Sequence, residues 1–224
     1  MACEPTWSRA GLPCASGGHL IIVPSASFTW PAHPEPLSYV AAFYSAMPFF
    51  AVILVLVALI VHRGLWELVL FMYCPFILEA SNIGLKRIFK QPRPPASCLV
   101  SCGMPSGHSM ESIGLGTYLV LELYRLKPAY WKWKIAALVA LLAPVPWSRV
   151  ELGDHSMQQV LAGSGFGIAF GVTYHCVLVH LLGGNRHATL ASSLCLYDDY
   201  AAPAADSNSE AEPFVEKRDI ATYS

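Results

Sequence analysis

Apolar residues in this chain gather into long runs, not the alternating or three-and-four spacings of half-buried strands and helices. From Ser38 to Val61 there are 24 consecutive residues without a charge, more than the roughly 20 a helix needs to cross a bilayer. A second run, Leu65 to Leu85, carries Glu67 and Glu79. Shorter ones cover about 109–124 and 135–147, the latter ending in Ala143-Pro-Val-Pro-Trp147, where prolines interrupt helical hydrogen bonding. A fifth runs from Met157 to Leu182. The pattern predicts an all-α, polytopic membrane helix bundle of about five transmembrane helices over residues 38–182. The flanks differ from it. Residues 1–37 lack the basic start and apolar stretch of a cleaved signal peptide. Residues 183–224, rich in Ala, Ser and acids, read as a largely disordered tail.

Composition agrees with a membrane protein. The chain is 54% hydrophobic and 13% charged, against about 25% charged in a soluble domain. A net charge of -1 gives no footing for nucleic acid. The seven cysteines form no metal-like CxxC pair. Cys98 and Cys102 share a loop, but pairing at that spacing needs a specific turn, so free thiols are expected.

Five spans place the 86–108 and 148–156 loops on the side of the N-terminal segment. The 62–64 and 125–134 loops join the tail opposite. The latter pair holds Arg63, Arg125, Lys127, Lys132 and Lys134, the excess that marks a cytoplasmic face. The other face has as many: Lys86, Arg87, Lys90, Arg93 and Arg149. Most of these have a chemical use, so they are discounted, and the 86–108 face is expected in the lumen.

That use comes from three stretches on one face. They are Lys86-Arg-Ile-Phe-Lys-Gln-Pro-Arg93-Pro94, Pro105-Ser106-Gly107-His108, and Ser148-Arg149-Val-Glu-Leu-Gly-Asp-His155. Lys, Arg, Ser and glycine-flanked amides are phosphate ligands by charge and donor geometry. His108 opens a helix, whose free amides favour an anion. Two histidines from different loops suit a nucleophile and a general acid. No Asp/His cluster resembles a metal site, so no metal or other cofactor is expected and cationic side chains must neutralise the phosphate. Taken singly, each piece has a plainer reading. Basic residues at span ends snorkel to headgroups, Ser106 caps a helix, and a lone loop histidine does nothing. The joint order and spacing favour the site.

Together the three stretches resemble the signature of the type 2 phosphatidic acid phosphatase superfamily: Lys-x6-Arg-Pro, Pro-Ser-Gly-His and Ser-Arg-x5-His-x3-Asp. The first two are complete, and the third departs at its last position, where Gln159 stands for Asp. That departure is similar to the dolichyl diphosphate phosphatase branch, which has His-x3-Gln-Val-Leu, here His155 to Leu161. The branch's Glu-x2-Asn-x3-Lys is matched by Glu79, Asn82 and Lys86, and its Gly-Met-Pro-Ser by Gly103 to Ser106. The resemblance implies an integral-membrane enzyme of the endoplasmic reticulum that hydrolyses dolichyl (polyprenyl) diphosphate, supporting carrier-lipid recycling for protein N-glycosylation. It implies His155 as nucleophile, His108 as acid and then base, and Gln159 as partner of His155. Lys86, Arg93, Ser106, Gly107 and Arg149 would hold phosphate oxygens.

Glu79, Asn82 and Lys86 advance by three and four residues and share a helix face. Lys86 lies about 10 Å along the axis from Glu79, so a link through Asn82 or water is expected, with a purely structural contact between spans the alternative. Glu151 and Asp154 are nearby carboxylates able to stand in for the missing Asp. Gln159, Gly163, Gly167 and Gly171 form a stripe of period four on the last span, which predicts close packing against the third.

Overall fold

The structure, a computed structural model, describes residues 14, 16–22, 27–63 and 65–182. The expected tail lies outside these. A short antiparallel hairpin, β1 (His19–Ile21) and β2 (Phe28–Trp30), precedes eight α-helices. These are α1 (Pro36–Ser45), α2 (Met47–His62), α3 (Leu65–Met72), α4 (Glu79–Phe89), α5 (Gly107–Leu126), α6 (Trp131–Leu142), α7 (Val145–Glu151) and α8 (Met157–Leu182). The all-α expectation therefore holds for the helical body and misses the hairpin, which sits in the N-terminal segment.

Each expected span maps onto helix, with breaks that have local causes. The first divides at Ala46, ahead of Pro48, whose ring and missing N–H disrupt the ladder. The second contains a π-helical turn, Tyr73–Leu78, around Pro75, a common way for a helix to absorb a proline. The fourth stops at Leu142, and α7 restarts after Pro144. Its 12 residues reach about 18 Å, short of a hydrocarbon core of about 30 Å. Two stretches, Pro36–Val61 and Met157–Leu181, are long and apolar enough to cross a membrane. Large apolar side chains such as Leu54, Ile60 and Leu161 point outward along them, as lipid contact demands.

The closest helix pair is α5 with α8, and the glycine stripe explains it. A methyl on Gly167 would lie 2.7 Å from the Met110 carbonyl oxygen, and one on Gly171 2.8 Å from that of Gly114. On Gly163 it would overlap the Ser106 carbonyl. The core beside this seam is Leu70, Tyr73, Leu78, Met110, Leu115, Tyr118 and Leu178. Tyr73 stacks on Tyr174 with ring centroids 4.3 Å apart. Gly163→Leu is expected to drive the helices apart and to cut folded yield sharply in size-exclusion chromatography; a monodisperse, fully active variant would overturn this.

Candidate active site

The Pro105–His108 turn is clamped from two sides before α5 begins. The Ser106 amide donates to the Gln159 carbonyl at 3.0 Å. A methyl on Gly107 would stand 2.6 Å from the Asn82 amide nitrogen, so glycine lets α4 approach. The result is a cavity of about 260 Å³ at the start of α5. Lys86, Arg93, Gly107, His108, Arg149 and His155 line it, with Glu79 and Asn82. Ser106, expected as a phosphate ligand, does not: it is fully buried, and its hydroxyl accepts from Ser109 at 3.0 Å. Arg87 and Lys90 are exposed and outside the cavity, in keeping with headgroup anchoring.

His155 is held at both ring nitrogens. Arg93 donates from Nη1 to Nε2 at 2.7 Å, and Gln159 Oε1 lies 3.2 Å from Nδ1. An arginine has only donors to offer, so Nε2 carries a lone pair and Nδ1 the proton, donated to Gln159. The Gln159 amide is itself oriented. Its nitrogen donates to the Pro92 carbonyl at 2.8 Å, which turns the oxygen toward His155. Arg93 is fixed by Nε to the Ser101 carbonyl and Nη1 to that of Asp154, both at 3.0 Å.

Arg149 and Asp154 form an ion pair at 2.8 Å, both side chains without solvent exposure. Asp154 also accepts from the Thr29 amide at 3.0 Å, the Thr29 hydroxyl at 2.5 Å and Ser97 at 3.1 Å. Its carboxylate is thus spent on Arg149 and the hairpin, not on His155. Glu151 is exposed. Neither stands in for the missing Asp; Gln159 alone partners Nδ1. Arg149 further donates to Ser45 and to the Ser27 carbonyl, leaving Nε buried without a partner.

Asn82 donates to Glu79 at 3.1 Å, as the spacing suggested. Beside Glu79 the cavity is lined by Glu111, a residue that the sequence reading missed. Its signal was present: an acid in an apolar run, one turn after His108. Among the described residues, Arg149 Nε, His108 Nε2 and Asn82 Oδ1 are buried without partners, and all three residues line this one cavity. Buried polar atoms are rarely left so; an anionic ligand in the cavity would accept from Arg149 Nε and from a protonated His108 Nε2. Burial, and then the Arg93, Arg149 and Lys86 cations, hold His155 well below the usual histidine range. The same causes act on His108. Both rings are therefore held toward the neutral form.

Free thiols were expected at Cys98 and Cys102, and this is corrected. Cys98 is bonded to Cys14, 84 residues away, and Cys102 is also disulfide-bonded. The N-terminal segment folds back onto the site loop, where Ser16 donates to the Ala96 carbonyl at 3.0 Å. No local spacing reveals such a pairing.

Comparison with known proteins agrees with the geometry. The PAP2 superfamily model matches residues 50–181. Dolichyldiphosphatase 1 of Dictyostelium discoideum is 28% identical over 158 residues, 66% of this chain and 68% of its own length. Dolichyldiphosphatase of Saccharomyces cerevisiae is 29% identical over 160 residues, 63% of this chain and 64% of its own. The chain thus spans about two thirds of these relatives. No solved structure matches it.

Proposed function

Since the chain belongs to the PAP2 superfamily, we propose that it is a membrane lipid phosphatase that converts dolichyl (polyprenyl) diphosphate to the monophosphate without a metal. The observation that carries this is His155 in a cavity of three cations, its tautomer set by Gln159 so that Nε2 is the unprotonated nitrogen, which accepts from Arg93 until phosphate takes that guanidinium. His155 attacks the terminal phosphorus in line, and the bond to the bridging oxygen breaks. His108 protonates the departing lipid monophosphate. It then takes a proton from water, which splits the phosphohistidine to inorganic phosphate and free His155. Lys86, Arg93, Arg149 and the Gly107 amide hold the non-bridging oxygens as charge shifts. Glu79 and Asn82 position Lys86 and the Gly107 turn.

The names of the relatives support the diphosphate substrate, and so does Gln159. A neutral amide stabilises an imidazolium less than a carboxylate does, which suits a good leaving group. A phosphate monoester, with a second pKa near about 6, leaves far more readily than an alkoxide. Gln159→Asp is therefore expected to lower the ratio of diphosphate to monophosphate hydrolysis; an unchanged ratio would sink the argument.

A pH profile probes the two histidines. Bound phosphate cancels the cations that depress His108, so its pKa rises in the complex. The basic limb of kcat is expected at higher pH than that of kcat/KM. The acid limb of kcat/KM is expected below the ordinary histidine range. Coincident basic limbs would count against His108 as the acid.

The multi-pass arrangement of five spans belongs to the proposal, as does a lumenal site in the endoplasmic reticulum and a role in recycling the carrier lipid for N-glycosylation. Two disulfide-bonded cysteines in the site loop support an oxidising compartment. The deciding experiment is phosphate release by detergent-purified protein, in excess EDTA, from dolichyl diphosphate, dolichyl phosphate and phosphatidate. Release from the diphosphate is expected to dominate. Preference for phosphatidate would keep the site and overturn the substrate; no release from any by folded protein would leave a lipid-phosphate binder.

A further inference from the structure

Two apolar grooves flank α5, and only one continues the site. His108, Glu111, Leu115 and Leu119 advance by three, four and four residues, so they follow one another down a single face of α5. His108 and Glu111 line the phosphate cavity. Leu115 and Leu119 line a second cavity of about 260 Å³, closed by Ala51 and Leu54 of α2 and by Leu138 and Leu141 of α6. The site end of this groove is fixed by the Arg149 bond to Ser45, two residues before α2 starts. Leu54 and Leu141 are 68% and 47% exposed, so the groove opens sideways between α2 and α6. The other groove, at Gly116 and Val120, lies about 100° round α5 from Leu115 and Leu119, with Leu138 and Leu142 of α6 lining both grooves.

Resting on the diphosphate reading above, we propose that the groove between α2, α5 and α6 seats the first units of the substrate's isoprenoid chain, admitted from the bilayer between α2 and α6. A headgroup held at His108 then delivers its chain past Glu111, at the inner end of the phosphate cavity, onto Leu115 and Leu119. Alkyl packing there draws lipids of this class to the site and orients the diphosphate.

The test uses full-length protein in nanodiscs with farnesyl diphosphate and its one-unit counterpart, isopentenyl diphosphate. Ala51→Phe fills the groove and is expected to lower kcat/KM for farnesyl diphosphate about tenfold while sparing isopentenyl diphosphate. Val120→Phe, in the other groove, is expected to change neither. Equal effects of Ala51→Phe on both substrates, no effect on either, or a selective loss from Val120→Phe would overturn the proposal. Because Ala51→Phe also risks overpacking, a farnesyl diphosphate bearing a benzophenone is photolysed on the unmodified protein. Label within residues 47–55, 115–119 or 138–142 is expected; label confined elsewhere refutes the groove. Labelling there without hydrolysis of any prenyl diphosphate would instead fault the reaction.

Discussion

Alanine at His155 is expected to abolish phosphate release, by on the order of 10⁴-fold or more, as loss of a covalent nucleophile does. The reason is specific to the ring's setting. Nε2 is the acceptor end of the Arg93 contact, and Nδ1 is committed to Gln159. Arg93, Arg149 and Lys86 are donors only, and His108, the other imidazole of the cavity, has the leaving group and the water to serve in the proposed scheme. The variant should still bind the lipid headgroup, since these cations remain. Quench with alkaline denaturant, in which a phosphohistidine survives, after mixing with substrate labelled in the terminal phosphate should trap labelled protein from the unmodified enzyme and none from His155→Ala. Retained label, or more than a trace of turnover, would move the nucleophile elsewhere.

Asp154→Ala is expected to cost about 3–5 kcal/mol of stability, the usual penalty for leaving one partner of a buried ion pair alone. Arg149 would keep its charge in a fully buried position with only Ser45 and the Ser27 carbonyl for company. Thr29 and Ser97 would lose their acceptor as well, leaving the hairpin tied to the site loop by the hydrogen bond from the Cys98 amide to Thr29 and the Cys14–Cys98 disulfide. A large drop in the midpoint of thermal inactivation checks this. An unchanged midpoint would show that the pair contributes little.

These two residues mark what was legible in the sequence. His155, His108, Lys86, Arg93 and Arg149 announce themselves because phosphate chemistry restricts residue type and because short motifs preserve spacing. The glycine stripe was legible for a similar reason: helix geometry converts period four into one face. Asp154 was visible only as a bystander, since its partners Thr29 and Ser97 lie 125 and 57 residues away. The disulfide to Cys14 and the Ser45 contact are equally non-local. Ser106 shows the opposite error. The resemblance named it as a phosphate ligand, but beside α8 its hydroxyl is buried and accepts from Ser109. The break at the end of the fourth span was legible too, because Pro144 and Pro146, which end one helix and open another, stand in its last residues.

The bond between Cys14 and Cys98 encloses everything from the hairpin to the end of α4 in a covalent ring. In the proposed orientation that ring runs out through the bilayer and back, so its closure requires both passages to be complete. A chain inserted upside down would leave both sulfurs in reducing cytosol and the ring open. The linkage therefore keeps a chemical record of correct insertion. Cleavage within it, for example after Arg63, would leave two pieces that part only on reduction.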